Sequence, residues 1–328
     1  MPDTEVAPEQ AISEEVTFRE IERAGERIRP IAKHTPVMTS SGFDEQAGVA
    51  AFFKCENLQT GGAFKIRGAT NFIFSIPKDQ LARGVVAYSS GNHAQAVAIA
   101  AQAVGASATL VMPSDTPSAK MEPTRARGPS VVIYDRFTED RAAIGAKIAA
   151  ETGAILVPPY DHPWIIAGQG TAAMELLQDV ADLDALVVPM SGGGLMAGSS
   201  IAARHLRPRT RLIGVEPAIA NDTYLSFQAG KRIEIAPPET IADGLRTPVP
   251  GVLTFPINQR NVDEVVLVTE DEIRAAVKFL LTRLKILVEP SGAVSAAAVL
   301  FKKVPKGLGR VGIVLSGGNV DYAQLASF

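Results

Sequence analysis

The sequence predicts an α/β protein whose doubly wound, parallel sheets alternate with helices. Short runs rich in β-branched residues recur along the 328-residue chain, and they are almost wholly apolar rather than alternating with polar residues. Strands buried on both faces of a parallel sheet have this composition. Segments with helical apolar periodicity lie between the runs, which is the order of elements typical of the α/β class.

The predicted strands cover residues 51–54, 85–88, 109–112, 131–134, 155–157, 186–189, 212–215, 265–268 and 312–315. Predicted helices cover residues 94–103, 140–151, 172–183 and 271–284. Thr269, followed three residues later by Glu272, predicts a capping box at the start of the last of these helices. The Pro- and Gly-rich residues 235–251 indicate a long excursion over the surface or beside a site.

Composition limits the class of protein and its partners. The length suits two lobes better than one core. A formal net charge of −3 without a long basic run argues against a nucleic-acid partner. A single cysteine, Cys55, allows no internal disulfide and fits a reducing compartment. Since no apolar run is as long as a membrane span and the acidic start lacks the apolar core of a signal, we expect a cytoplasmic protein without a membrane partner.

Four glycine-rich segments follow predicted strands, at the edge where open α/β sheets bind ligands. In the first, Lys65 lies among small residues, where a flat cofactor could approach and desolvation would favour imine chemistry. Considered in isolation, Lys65 would be better explained as a surface lysine in a turn. In the third, glycines 192–194 precede a helix, so several backbone N–H groups can converge on a phosphate. The second and fourth, residues 89–93 and 315–319, fit a capped helix start or a tight turn as well as an anion site.

Taken together, the four segments resemble the fold-type II pyridoxal-phosphate family. The branch with the most similar motifs contains serine racemase, serine/threonine dehydratase and 3-hydroxyaspartate dehydratase, and the similarity runs from about Phe18 to the C-terminus. The motifs that carry the resemblance are Ala63-Phe64-Lys65-Ile66-Arg67-Gly68-Ala69, Ser89-Ser90-Gly91-Asn92-His93, Ser191-Gly192-Gly193-Gly194 and Ser316-Gly317-Gly318-Asn319.

The resemblance implies a tryptophan synthase β-like fold with two doubly wound lobes. Residues 17–80 and 159–328 would form the large cofactor-binding domain, and residues 81–158 a small, mobile domain inserted in it. Residues 1–16 would be a mobile tail. Family precedent also implies a homodimer.

The same resemblance implies roles for single residues. Lys65 would be the Schiff-base lysine, which also moves protons at Cα of the substrate, and Ser316 would face the pyridine nitrogen. A serine there cannot enforce ring protonation as an aspartate would, which favours prompt loss of a β-substituent. Phe64 would flank the ring and Asn92 would bond its 3′-hydroxyl. The cofactor phosphate would lie on Gly192, Gly193, Gly194 and Leu195, and the substrate carboxylate on the loop of Ser89, Ser90, Gly91, Asn92 and His93.

Three further features refine the branch. Glu216, the Ala220 carbonyl and Asp222 match a divalent-cation loop of serine racemase, whose oxygen ligands suit Mg²⁺, Ca²⁺ or Mn²⁺. Arg141 falls where relatives place an arginine that reaches a second substrate carboxylate, although an exposed helix arginine is nearly as good an interpretation. Ser90 occupies the loop position at which racemases of the family place a serine on the face of Cα opposite the lysine, which predicts some racemisation, or tolerance of a D-configured Cα, beside elimination.

The expected reaction is therefore the dehydration and deamination of a small β-hydroxy amino acid to a 2-oxo acid and ammonia. Arg141 favours 3-hydroxyaspartate as substrate, with oxaloacetate as product. L-serine/L-threonine dehydratase and serine racemase activities remain alternatives. The regulatory domain that follows the catalytic one in biosynthetic threonine deaminases is not expected, because the chain ends shortly after Asn319. Outside the family, a nicotinamide oxidoreductase would lack its GxGxxG fingerprint, and a non-catalytic binding module would leave Lys65 unexplained.

Overall fold

The structure is a computed structural model that describes residues 16–89, 91–116, 118–326 and 328. The predicted tail therefore lies outside the described residues apart from Val16, and Ser90 lies outside them as well. None of the helices in these ranges has both the length and the apolar character needed to cross a membrane.

The strands form two separate sheets. The larger, six-stranded sheet has the order β1-β2-β10-β7-β8-β9, and the smaller, four-stranded sheet has the order β5-β4-β3-β6. All neighbouring strands are parallel except the β1–β2 pair. The strand bounds are β1 Val37–Met38, β2 Ala50–Cys55, β3 Val85–Tyr88, β4 Ala108–Pro113, β5 Ser130–Tyr134, β6 Ile155–Leu156, β7 Ala185–Pro189, β8 Arg211–Pro217, β9 Glu264–Val268 and β10 Arg310–Leu315.

Helices cover both faces of the larger sheet. Short 3₁₀ turns add Glu56–Leu58, Thr60–Gly62 and Asp243–Leu245, and a π-helical turn spans Leu280–Leu284. The α-helices are α1 Phe18–Ile28, α2 Ser41–Ala47, α3 Lys65–Ser75, α4 Lys78–Leu81, α5 Asn92–Ala103, α6 Ser118–Arg125, α7 Arg141–Thr152, α8 Pro163–Asp179, α9 Gly194–Leu206, α10 Asp222–Ala229, α11 Thr254–Asn261, α12 Glu270–Phe279, α13 Pro290–Leu300 and α14 Tyr322–Leu325.

The central strands are apolar throughout because both of their faces are buried. In β7, Ala185 and Val187 belong to a core with α2, α12 and α13, whereas Leu186 and Val188 belong to a second core with α1, α8 and α9. Successive side chains of a strand point to opposite faces, so a strand between two helix layers is apolar at every position. This burial confirms the α/β class and the parallel, doubly wound sheets.

A third core joins one face of the smaller sheet to α3 and α5. The other face of this sheet is covered by α7, where Gly145 approaches the side chains of Tyr88 and Leu156. Gly145 is the one residue of α7 classed as buried. The smaller sheet is thus thickly packed on one face and thinly packed on the other.

The predicted strands coincide with observed strands to within two residues at each end. The antiparallel edge strand β1 was not predicted, because two residues are too short to form an apolar run. The capping box is confirmed: Thr269 and Glu272 exchange backbone-to-side-chain hydrogen bonds of 2.8 and 3.2 Å.

The helix predicted for residues 172–183 has wrong bounds, since α8 begins at Pro163 and ends at Asp179. The early part of this helix contains two glycines, Gly168 and Gly170. Both are glycines because backbone approaches them closely: a Cβ on Gly168 would lie 2.6 Å from the Arg67 carbonyl, and one on Gly170 would lie 2.8 Å from the Gly198 carbonyl. Close helix packing, and not helix termination, explains these glycines.

Candidate active site

A cavity of about 790 Å³ lies between the two sheets, and the four glycine-rich segments meet at its wall. The structure therefore brings together residues that lie far apart in the sequence. It also places Arg141 and part of the 235–251 excursion on the same wall. The predicted site residues that line the cavity are Phe64, Lys65, Ser89, Gly91, Asn92, His93, Arg141, Gly192, Gly193, Gly194, Leu195 and Ser316.

Lys65 is the first residue of α3 and points into the cavity. Its Nζ donates a 2.7 Å hydrogen bond to the carbonyl oxygen of Pro159 and lies 5.2 Å from the ring centroid of Phe64. Burial, and then the nearby charge of Arg141, lower the pKa of Lys65 to about 8. A sizeable fraction of unprotonated amine is consequently present near neutral pH, as imine formation with a carbonyl compound requires.

A network of buried charges fixes the helix that carries this lysine. The guanidinium of Arg67 donates to both carboxylate oxygens of Glu56 at 2.7 and 2.8 Å, and to both of Glu175 at 2.7 and 2.8 Å. Further bonds run from Arg67 to Thr171 and to the carbonyl of Lys33. Planar, bidentate guanidinium–carboxylate pairs stabilise the structure and also fix the position of the arginine, so the first turn of α3 is firmly oriented.

The segments around Lys65 and Ser316 are paired directly. The Phe64 N–H donates to the Ser316 carbonyl at 3.0 Å, and the Gly318 N–H donates to the Gly62 carbonyl at 2.8 Å. The Ser316 hydroxyl, within a residue that is 4% exposed, lies 3.4 Å from the carbonyl oxygen of Ser291. A neutral hydroxyl therefore lies on the same cavity wall as the lysine.

The glycine turn before α9 is held through its carbonyl groups. The Gly192 carbonyl accepts bonds from the Thr254 hydroxyl at 2.6 Å and the Gly251 N–H at 3.3 Å, and the Gly193 carbonyl accepts from Asn258 at 3.1 Å. Gly193 adopts a positive φ of 89°, and a Cβ there would lie 2.6 Å from Asn258. Any larger residue would break this packing.

The residues of the same turn line the cavity, and their amide N–H groups are unpaired among the described residues. None of the hydrogen bonds between described residues uses the N–H of Gly192, Gly193, Gly194 or Leu195. Unpaired amides at the start of α9, reinforced by the helix dipole, form a cradle for an anion of phosphate size. This arrangement and the lysine with a lowered pKa fit a cofactor that carries both an aldehyde and a phosphate.

The loop before α5 contributes polar groups from the smaller sheet. The Asn92 amide donates to Glu289 Oε1 at 2.5 Å, and its oxygen accepts from Asn319 at 2.9 Å. His93 Nε2 lies 3.0 Å from the Val157 carbonyl, so this nitrogen carries the proton. Burial, and then Lys65, lower the pKa of His93 to about 3, which makes its imidazole neutral.

Arg141 begins α7, and its guanidinium lies 5.8 Å from the ring centroid of Tyr88 at the cavity wall. No described carboxylate lies within ion-pair distance of it. The neighbouring cavity cation Arg136 differs, because it pairs with Asp115 at 2.7 Å. A cation without a partner at a cavity wall is suited to a carboxylate that arrives with a ligand.

The predicted cation ligands lie behind the glycine turn and do not line the cavity. Glu216, at the end of β8, accepts from the Tyr224 N–H at 2.9 Å, whereas neither carboxylate oxygen of buried Asp222 has a hydrogen-bond partner in the described chain. Burial, and then Asp222, raise the pKa of Glu216 to about 8, and burial raises the pKa of Asp222 to about 7. Two neighbouring buried carboxyl groups without a positive partner among the described residues suit a divalent cation, which would favour their charged forms.

Several cavity residues were missed by the sequence analysis. Tyr160 lies against the glycine turn, where a Cβ on Gly192 would come within 2.5 Å of its ring. Lys120, Asp243 and Glu289 form a charged cluster on the wall. The proline-flanked residues 158–163 could have indicated a linker beside the site, but only folding brings the charged cluster together.

Comparison with known proteins agrees with this geometry. The family model described as pyridoxal-phosphate dependent enzyme matches residues 28–317. The L-threo-3-hydroxyaspartate ammonia-lyase of Saccharomyces cerevisiae is 45% identical over 311 residues, covering 95% of each chain. The serine racemase of Schizosaccharomyces pombe is 45% identical over 312 residues, covering 95% of this chain and 97% of the relative. The structure of maize serine racemase superposes with a TM-score of 0.91 at 42% identity, covering 95% of this chain and 96% of that one. The chain therefore belongs to the family of pyridoxal-phosphate dependent enzymes.

Proposed function

We propose that the protein removes water and ammonia from a small β-hydroxy amino acid, and that 3-hydroxyaspartate is its preferred substrate. The products would be oxaloacetate and ammonia. The observation that carries the choice of substrate is Arg141, a cavity cation at the start of α7 that has no carboxylate partner among the described residues. The identity with the ammonia-lyase of Saccharomyces cerevisiae supports the same choice.

Pyridoxal phosphate would supply an electron sink for the bonds at Cα of the amino acid. Lys65 would hold it covalently, and the amides of Gly192, Gly193, Gly194 and Leu195 would bind its phosphate. Phe64 would lie beside the ring, with Asn92 at the 3′-hydroxyl and Ser316 at the pyridine nitrogen. The unpaired amides and the lowered pKa of Lys65 support this assignment.

The remaining steps depend on the residues of the chain. The substrate α-carboxylate would bind the loop of Ser89, Ser90, Gly91, Asn92 and His93, where the start of α5 offers backbone amides. The Lys65 amine would take the Cα proton, and the β-hydroxyl would gain one proton as its bond to Cβ breaks and so leave as water. The enamine that is released takes up water and loses ammonia, so the net reaction converts 3-hydroxyaspartate to oxaloacetate and ammonia.

Arg141 would bind the second carboxylate of the substrate. A bidentate guanidinium–carboxylate pair contributes about 1.5–3 kcal/mol, which corresponds to roughly ten- to a hundredfold in rate ratio. Leaving such a cation unpaired in a serine or threonine enzyme would have an energetic cost. L-serine/L-threonine dehydratase and serine racemase activities are the alternatives that this residue disfavours.

The test is the ratio of kcat/KM for 3-hydroxyaspartate over serine. We expect a native ratio well above one, and a ten- to hundredfold fall in Arg141→Ala. Arg136→Ala is a matched control, because Arg136 lines the same cavity but is paired with Asp115. A native ratio below one, or equal ratios in the native protein and Arg141→Ala, would return the assignment to the serine and threonine enzymes.

The proposal includes a divalent cation, Mg²⁺, Ca²⁺ or Mn²⁺, held by Glu216, the Ala220 carbonyl and Asp222 with water. The unpartnered oxygens of Asp222 support it, as does the Ala220 carbonyl, which accepts no backbone bond from a described residue. The Thr223 hydroxyl lies 3.3 Å from the Ser191 carbonyl, so the segment that would hold the cation contacts the glycine turn before α9.

We also propose a cytoplasmic homodimer in which residues 17–80 and 159–328 form the large domain and residues 81–158 a small domain that closes over the substrate. The division of the strands between two sheets supports these boundaries. No nucleic-acid or membrane partner is proposed.

A further inference from the structure

A charged cluster joins the two sheets beside the substrate loop. Lys120, on α6 of the smaller-sheet unit (residues 85–156), forms an ion pair with Asp243, and its Nζ lies 3.7 Å from Glu289 Oε2. Asp243 and Glu289 both belong to the part of the chain that carries the larger sheet. In the described residues, no other ion pair connects the two parts.

Two of the three members of the cluster are buried. Lys120 is 8% exposed and Glu289 is 2% exposed, whereas the Asp243 side chain is 24% exposed. Burial alone would lower the pKa of Lys120, but the carboxylates of Glu289 and Asp243 outweigh it and raise the pKa. The same burial raises the pKa of Glu289 to about 7 even beside Lys120, so loss of the lysine would leave Asp243 and Glu289 close together without a positive partner.

Both ends of this cluster contact the substrate loop at its described residues Gly91 and Asn92. A Cβ on Gly91 would lie 2.8 Å from Cδ of Lys120, so the lysine stem packs directly on the loop backbone. The next residue of the loop, Asn92, donates a 2.5 Å hydrogen bond to Glu289 Oε1. The position of the loop relative to the larger sheet thus depends on how Lys120 and Glu289 are placed.

We propose that Lys120 is a positioning residue, which sets the substrate loop for the reaction by pairing across the two sheets with Asp243 and Glu289. It contacts the loop and acts through Glu289 and Asn92. The inference rests on the proposed function only in placing the substrate at this loop, and it does not depend on which β-hydroxy amino acid is used.

The experiment compares holoenzyme with Lys120→Met, using Lys147→Met as a matched control. Lys147 pairs with Glu151 within α7 of the same unit, and both side chains are well exposed. We expect Lys120→Met to accelerate amide hydrogen exchange in residues 91–95 and to raise KM by roughly tenfold with a smaller change in kcat. Hydrogen exchange in β7 should stay unchanged, which distinguishes local opening around the ion pairs of Lys120 from global destabilisation.

A second variant keeps the test decisive should Lys120→Met fold poorly. Asp243→Asn should change the same two measurements in the same direction, because it weakens the same ion pair. The double variant should resemble Lys120→Met, since residues that act as a unit are not additive. The proposal is overturned when Lys120→Met matches Lys147→Met in hydrogen exchange and KM. It is also overturned when the effects of Lys120→Met and Asp243→Asn on KM simply multiply in the double variant. Because hydrogen exchange needs no substrate, failure here is distinguishable from a wrong assignment of the reaction.

Discussion

The backbone N–H of Phe64 donates a 3.0 Å hydrogen bond to the carbonyl oxygen of Ser316. This one bond ties the start of the lysine helix to the turn after the last strand. Lys65 and the Ser316 hydroxyl consequently lie on the same wall of the cavity, since a backbone hydrogen bond fixes the two segments to each other. The site is to this extent preorganised, which is the condition for efficient catalysis by fixed groups.

Replacement of Lys65 should separate folding from chemistry. Lys65→Ala removes the amine that would hold the cofactor, so we expect a folded protein without the visible absorption band of bound pyridoxal phosphate. Turnover should fall by roughly 10²–10⁴-fold or more, because the group that moves the Cα proton is lost. Lys147→Ala, at an exposed lysine, is the control. Retained turnover in Lys65→Ala would eliminate this lysine from the mechanism.

Cofactor uptake by the cofactor-free protein should depend on the pKa of Lys65, which is about 8. The deprotonated amine is the reactive form, so the rate of incorporation should rise about tenfold per pH unit below 8 and level off above it. Stopped-flow absorbance measures this rate. Arg141→Ala removes a like charge, and its profile should shift to higher pH. A native profile that keeps rising to pH 10, as for an ordinary lysine, would contradict the prediction.

Addition of Mg²⁺ should stabilise the native protein. A cation bound only to the folded state at 100 times its Kd adds about 2.7 kcal/mol, or roughly 5 °C or more in melting temperature. Asp222→Asn should abolish this gain. It should also stabilise the cation-free protein, because a buried carboxylate without partners is removed. Asp271→Asn, at a 96% exposed side chain, is the control. Equal melting temperatures with EDTA and with Mg²⁺ would count against the cation site.

Substitution of Ser90 should alter the balance of reactions. Lys65 can reach one face of a planar Cα, and the racemases of the family place a serine at this loop position for the other face. We expect Ser90→Ala to lower racemisation relative to elimination by roughly 10²-fold or more, the usual loss for a group that transfers a proton. Chiral chromatography of recovered substrate, set against ammonia release, gives the ratio. An unchanged ratio would remove Ser90 from the catalytic residues.

The observed fold was largely predictable because it follows from local composition. Strands such as β7 are apolar at every position, and both of their faces are buried, so the continuous apolar run in the sequence corresponds to the observed burial. The bounds predicted for α8 were wrong, and the missed part of this helix contains Gly168 and Gly170. Both glycines serve the close packing of α8 against its neighbours. The length of α8 therefore depended on tertiary contacts.

The sequence by itself determined the chemical groups of the site: a lysine among small residues, a triple-glycine turn before a helix, and polar turns after strands. Covalent identity and local backbone preference are sufficient for these. Only the tertiary structure decided that Arg141 has no carboxylate partner in the described chain, and that Lys120 meets Glu289. Charge pairing depends on distances between residues far apart in sequence, and the chain fixes those distances only when its two sheets are packed around one cavity.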